Sequence, residues 1–218
     1  MLGLYRRQRD AFTGDHLRIL LAISAKLGFS IENALKYQTV ENSATTDYLT
    51  GLPNARSLFL HLDSELARCK RLKSPLAVVV CDLDGFKQIN DRFGHLVGNM
   101  VLRSVAAGLK ETCREYDYVA RMGGDEFVVI MPGFDTAAMK EKTLLLQSIA
   151  MEAGIQVCKE PLLSLSSGVA MYPHDGIDAE QLLAEADHRM YANKQCHHAQ
   201  MVPAFGPLAV NLQQAAIN

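Results

Sequence analysis

Apolar and polar positions along the chain fall into distinct regimes. From 15 to about 42 there is no proline, and Leu17, Leu20, Ser24, Leu27, Ile31, Ala34 and Gln38 recur at alternating spacings of three and four. This pattern predicts a long helix with a coiled-coil-like seam, capped by Thr13 or Asp15. Ser24, Ala34 and Gln38 weaken the seam, so an amphipathic helix packed on its own domain is the alternative. The run Asn42-Ser43-Ala44-Thr45-Thr46 reads as a break. Asp47-Tyr48-Leu49-Thr50-Gly51-Leu52-Pro53-Asn54 then reads as a turn-rich lead-in to a helix starting near Asn54 or Ala55. A domain boundary is placed here.

Beyond it the pattern predicts a helix to about 71, a strand over 76–81, then a loop and helix through about 112. A hairpin of two short strands follows, then a helix over 136–153, a strand over 163–170 and a helix over 179–194. Leu76-Ala77-Val78-Val79-Val80 is a continuous apolar run, as expected of a central strand covered on both faces. The element order, with its one evident hairpin, favours an α+β fold with a mixed sheet over a doubly wound parallel one. From Gln195 onward His197-His198, Pro203, Gly206 and Pro207 interrupt any period, and a loose tail is expected.

At 218 residues, with 49% hydrophobic and 21% charged residues, the chain can bury one good core and a second small piece. A formal charge of −2 and a pI near 6.4 provide no global field for polymeric nucleic acid, so any phosphate contact must be local. Cys69, Cys81, Cys113, Cys158 and Cys196 are odd in number and lack a C-x-x-C pair, which argues against a disulfide framework and a zinc site. A reducing cytoplasm fits. Residues 1–10 carry three arginines and no apolar core segment, and no later run approaches the ~20 residues of a membrane span. Neither a signal peptide nor an anchor is expected.

The candidate chemistry starts at Arg121-Met122-Gly123-Gly124-Asp125-Glu126-Phe127. Flanked by strand-like runs, Gly123-Gly124 predicts a hairpin tip carrying two adjacent carboxylates. Glycine admits close approach of a ligand, and the carboxylates can hold a divalent cation; a tight turn with merely solvated acids is an equally good reading of this run alone. Asp82-Leu83-Asp84-Gly85-Phe86-Lys87-Gln88-Ile89-Asn90 tips the balance. Asp82 follows directly on the apolar strand, and period-two geometry puts Asp82 and Asp84 on one side. If that strand neighbours the hairpin, Asp82 and Asp125 can converge on one cation, with a backbone carbonyl as a third oxygen. Magnesium suits such a set because it completes its shell with water and substrate phosphates. Lys87 supplies a point charge for phosphate, and Asn90 a donor and an acceptor for a base edge. These residues point to a magnesium-dependent nucleotide site without naming the reaction.

Gly123-Gly124-Asp125-Glu126-Phe127 resembles the signature of the GGDEF family, the diguanylate cyclases. The resemblance covers about 47–194 and includes the lead-in Asp47-x-Leu49-Thr50-Gly51-Leu52-Pro53-Asn54 and the stretch 82–98. It implies a palm-type nucleotide-cyclase sheet flanked by helices and condensation of two GTP into cyclic di-GMP with release of pyrophosphate. Each domain is then expected to bind one GTP, so two domains must meet as a homodimer. By position, Asp82, Asp125 and the Leu83 carbonyl are implied to bind Mg2+, with Mn2+ as a substitute. Asp125 is also implied to accept the 3′-hydroxyl proton, supported by Glu126. Lys87 and Lys194 match phosphate contacts. Asn90, His95 and Asn99, with Gly123 and Gly124, match the nucleotide pocket. Arg114-Glu115-Tyr116-Asp117 matches an R-x-x-D inhibitory site for the cyclic dinucleotide product, against the alternative of a surface ion pair. Upstream, 5–37 resembles the last strand and closing helix of a GAF sensory domain. The expected organisation is a GAF-like remnant over 1–14, a connector and dimerisation helix over 15–45, the cyclase domain over 46–197 and a loose tail over 198–218. The whole would be a cytoplasmic fragment without its sensor pocket.

Asn99, Ala55 and the pair His197-His198 depart from the family pattern. Asn99 stands where the family usually has the aspartate that reads guanine. A carboxylate accepts both N–H groups of guanine's Watson–Crick edge, whereas a carboxamide offers one acceptor and one donor, which adenine can match. Use of ATP beside GTP, yielding hybrid cyclic GMP-AMP, is therefore one alternative. Ala55 replaces an arginine, and His197-His198 stands where Gly-Arg is common; His198, mostly neutral at pH 7, replaces a phosphate contact only in part. Another alternative is a weakly active domain that binds cyclic dinucleotide through Arg114 and Asp117.

Overall fold

In this computed structural model, residues 45–134 and 136–201, together with Leu27, are described. The side chains of 136, 137 and 196–201 lie outside that description. So do the expectations for the GAF-like remnant, the connector helix and the tail beyond 201. The chain divides between Ala44 and Thr45.

The elements run α1 (Ala55–Leu72), β1 (Leu76–Asp84), α2 (Phe86–Phe93), α3 (His95–Thr112), β2 (Tyr118–Gly123), β3 (Glu126–Pro132), α4 (Thr136–Cys158), β4 (Ser164–Tyr172) and α5 (Ala179–Met201). The strands form one sheet in the order β2-β3-β1-β4. Every ladder is antiparallel, so the expected α+β class and helix-flanked sheet are present, but the sheet is not mixed in strand direction. α1 begins where its cap predicts, because the Asn54 side chain accepts the Ser57 N–H at 3.1 Å.

β1 is buried along all nine residues, having a strand on either side and helices on both faces. Its odd positions Ala77, Val79, Cys81 and Leu83 pack with Ile89 of α2, Val101 and Leu109 of α3 and Leu146 of α4. Its even positions Leu76, Val78 and Val80 pack with Leu58 and Leu62 of α1 and Leu182 and Ala186 of α5. Each valine, leucine or isoleucine among them contributes roughly 1.5–3 kcal/mol of burial, which fixes the register and hence which face receives Asp82 and Asp84.

Several boundaries differ from the sequence expectation, among them the ends of β1 and α5. β1 continues through Asp82 to Asp84, because polar side chains of β4 and α5 bond to both carboxylates inside the sheet. α5 continues to Met201 instead of ending at Lys194; residues 195–201 contain neither glycine nor proline, and the first breaker is Pro203. No helix among the described residues is long and apolar enough to cross a membrane.

Candidate active site

The even face of β1 carries the first acidic pair. Asp82 lies opposite Glu126 of β3 on one side and Ser166 of β4 on the other. Both Asp82 and Asp84 are 7% exposed, so each needs a partner. Asp84 accepts hydrogen bonds from the Ser166 hydroxyl at 2.6 Å and the Ser164 hydroxyl at 3.3 Å. Asp82 Oδ1 accepts from Lys194 Nζ at 2.6 Å. Burial works against the Lys194 charge, but the bond to Asp82 and the charges of Asp84 and Asp125 outweigh it and hold the ammonium above its usual range. Gly168 makes this pair reachable. A Cβ there would run into the Ala186 carbonyl and the Met190 amide, so α5 seats its backbone directly on β4, and the Asn193 side chain donates to the Ser167 carbonyl at 2.8 Å one residue before Lys194.

The hairpin tip faces this pair across the β1–β3 ladder. Gly124 adopts φ 50°, in the left-handed region glycine tolerates, and the register shifts between Arg121 and Gly123. The Leu83 amide donates to the Asp125 carbonyl at 3.3 Å, joining tip and strand end. Burial first, then the Asp82 charge, pushes the Asp125 carboxyl above its usual range. Burial, Asp82, Asp125 and Asp187 do the same to Glu126. The three carboxylates thus repel one another with Lys194 as their nearest relief. Among the described residues no three His, Cys, Asp or Glu side chains form a metal cage. Two carboxylates with the Leu83 carbonyl remain a hard oxygen set, and their mutual repulsion fits a small cation that keeps water and phosphate in its shell.

Sequence reasoning assigned no role to Arg121, yet it holds the tip in place. Its Nε and Nη2 donate to the Gly124 carbonyl at 3.1 and 2.6 Å, and Nη1 donates to Asp47 Oδ1 at 2.9 Å. Asp47 also accepts from the Thr50 amide at 2.9 Å and hydroxyl at 2.6 Å. Burial raises the Asp47 carboxyl, but the bonds from Thr50 and Arg121 more than offset it and leave it below the usual range. The Asp47-x-x-Thr50 turn is legible from short-range chemistry; its partner 74 residues away is not.

The remaining nucleotide candidates follow β1 at the same end of the sheet. Exposed Lys87 and half-buried Asn90 lie on α2, which the buried Ile89 anchors; exposed His95 opens α3, and half-buried Asn99 sits in its second turn. A Cβ on Gly98 would overlap Asn90 Oδ1, so this glycine leaves room for the Asn90 carboxamide. The structure therefore gathers Asp82, Asp125, Glu126 and Lys194, with Leu83, Gly123 and Gly124 between them, and sets Lys87, Asn90, His95 and Asn99 beside that end.

Arg114 and Asp117 are elsewhere, before β2 and at its far end from the tip. The Asp117 carboxylate accepts the Arg114 amide at 2.8 Å. The Arg114 guanidinium lies 4.8 Å from the Phe134 ring centroid and donates to the Tyr116 hydroxyl at 3.0 Å. The alternative reading, a surface ion pair between the two side chains, is not among the contacts of the described residues.

Residues 44–200 match the family profile described as diguanylate cyclase, GGDEF domain. The chain is 38% identical over 154 residues to diguanylate cyclase DgcP of Pseudomonas aeruginosa, covering 70% of this chain and 23% of that protein. It is 38% identical over 157 residues to the response regulator PleD of Caulobacter vibrioides, covering 69% of this chain and 34% of that one. The chain thus spans about a quarter to a third of these relatives. Among solved structures, a sensory box/GGDEF family protein from Caulobacter crescentus superposes with a TM-score of 0.63 at 36% identity, covering 70% of this chain and 99% of that one. The coiled coil and GGDEF domain of DgcB from the same organism, in complex with c-di-GMP, gives a TM-score of 0.68 at 26% identity over 83% of this chain and 95% of that one.

Proposed function

Because the chain belongs to the GGDEF family, we propose that it is a diguanylate cyclase, condensing two GTP into cyclic di-GMP as a cytoplasmic homodimer. The observation that carries this reading is the convergence of Asp82, Asp125, Glu126 and Lys194 at one end of the sheet. Each GTP presents its 3′-hydroxyl to the α-phosphate of the other. Two phosphodiester bonds form, two bonds to pyrophosphate break, and each attacking hydroxyl loses a proton. Asp125, whose carboxyl is raised towards the working range of a general base, takes that proton. A bound Mg2+ or Mn2+ would neutralise phosphate charge and ease ionisation of the hydroxyl. Lys87 and Lys194 bind the triphosphate, and Asn90, His95 and Asn99 orient the base. With one nucleotide per domain, approach of a second copy aligns the two reacting ends.

Asn99 supports relaxed base choice, with ATP accepted beside GTP. The Arg114 guanidinium, 4.8 Å from the Phe134 ring centroid, supports a second role for 114–117 as a product-binding inhibitory site. Purified protein given GTP, ATP and their mixture tests both points. Magnesium-dependent pyrophosphate release that disappears in Asp125→Ala is the expected result. Product binding without turnover would leave a signalling module in place of an enzyme, and rejection of ATP in the mixture would remove the hybrid product.

A further inference from the structure

Lys194 occupies Asp82, the carboxylate that the cyclase reading gives to the metal. We propose that Lys194 is a displaceable counter-ion of the metal-binding carboxylate, so that the divalent cation is taken up only as the triphosphate of an arriving nucleotide draws this lysine away. The inference rests on the cyclase reading and adds an order of binding to it.

The pair is short, 2.6 Å from Nζ to Oδ1, and its side chains are 30% and 10% exposed. A charge-assisted bond of that length competes with a second cation for Asp82, because the ammonium already neutralises the carboxylate and repels another positive charge beside it. Among the described residues Lys194 is the side chain bonded to Asp82, whereas Asp84 has the hydroxyls of Ser164 and Ser166. The backbone beneath the lysine is fixed: α5 rests on Gly168, and Asn193 is bonded to the Ser167 carbonyl. Only the flexible stem of Lys194 is left to move, and a compact ammonium on four methylenes transfers between oxyanions without helix motion. A triphosphate offers several such oxyanions at once. By linkage, nucleotide then raises metal affinity and metal raises nucleotide affinity by the same factor.

The test is Mn2+ binding to the full chain, followed by the electron paramagnetic resonance signal of free Mn2+, with and without 3′-deoxy-GTP, which cannot cyclise. Without nucleotide, Lys194→Met is expected to bind Mn2+ about tenfold more tightly than wild type, within the usual span of coupling between sites, while Lys194→Arg stays as weak as wild type. With 3′-deoxy-GTP the gain in Mn2+ affinity is expected to be larger in wild type than in Lys194→Met. Equal Mn2+ affinity of wild type and Lys194→Met without nucleotide, with nucleotide-dependent binding intact, overturns the inference alone. No Mn2+ binding by any form, even with nucleotide, overturns the cyclase reading as well. If Lys194→Met loses its cooperative melt, the wild type carries the measurement through the 15N resonance of the Lys194 ammonium. That resonance is expected to move on adding 3′-deoxy-GTP without metal and to stay in place with Mg2+ alone; movement with Mg2+ alone overturns the proposal.

Discussion

At the scale of the residue, the carboxylates at the tip trade stability for chemistry. Asp125 has a raised carboxyl in the folded chain. Its contribution is therefore largest when it is protonated and is lost as pH rises from its ordinary 3.8 through the higher folded value. Asp125→Asn removes that cost while removing the proposed base. In metal-free buffer at neutral pH its melting temperature is expected to rise, on the order of 2 °C. Pyrophosphate release is expected to fall by at least about 100-fold. Calorimetry and a coupled phosphate assay on one preparation check both. Asn99 makes the complementary prediction: Asn99→Asp restores two acceptors to the base edge and should lower ATP incorporation by roughly 10- to 100-fold, read as the product ratio from mixed nucleotides. The acid clusters were legible in the sequence only as a pair, because the Gly-Gly tip alone reads equally well as a solvated turn and the aspartates after the apolar run tip the balance. Arg121 was not, since its meaning depends on Asp47.

At the scale of the element, two contacts position the site from a distance. Gly168→Ala puts a methyl between β4 and the α5 backbone. It is expected to cost at least about 2 kcal/mol, seen as a lower urea midpoint at unchanged slope, and to weaken nucleotide binding by displacing Lys194. Arg121→Met frees the tip from the lead-in turn. Since Asp47 has a lowered carboxyl, its contribution is present above the ordinary value of 3.8 and lost as pH falls through the folded one. Wild type should therefore lose melting temperature between about pH 5 and about pH 2, and Arg121→Met should lose less over that span. The hairpin and the α1 cap were readable from short-range signals. Helix α2 was missed, its stretch being read as a loop before one helix; a φ of 85° at Gly94 separates it from α3. So was the reach of β1 to Asp84: two aspartates look like a strand exit until serines and a lysine from 80 to 112 residues away enclose them.

At the scale of the whole molecule, the proposed reaction needs two copies. Turnover per chain is expected to rise with protein concentration before levelling, measured as initial pyrophosphate release over a dilution series; a rate strictly proportional to protein at every dilution would exclude a dimer forming in that range. The antiparallel order β2-β3-β1-β4 has a consequence for mobility. The residues proposed to hold metal sit on β1 and at the turn leading directly into β3, the two interior strands, which are hydrogen-bonded on both sides, while those proposed to hold the base sit on two helices joined at Gly94. Amide deuterium exchange should accordingly be slowest at 80–83 and 126–129 and fast around 90–99. Such a molecule would perform its bond-making on its stiffest part and leave sampling of the base to its softest.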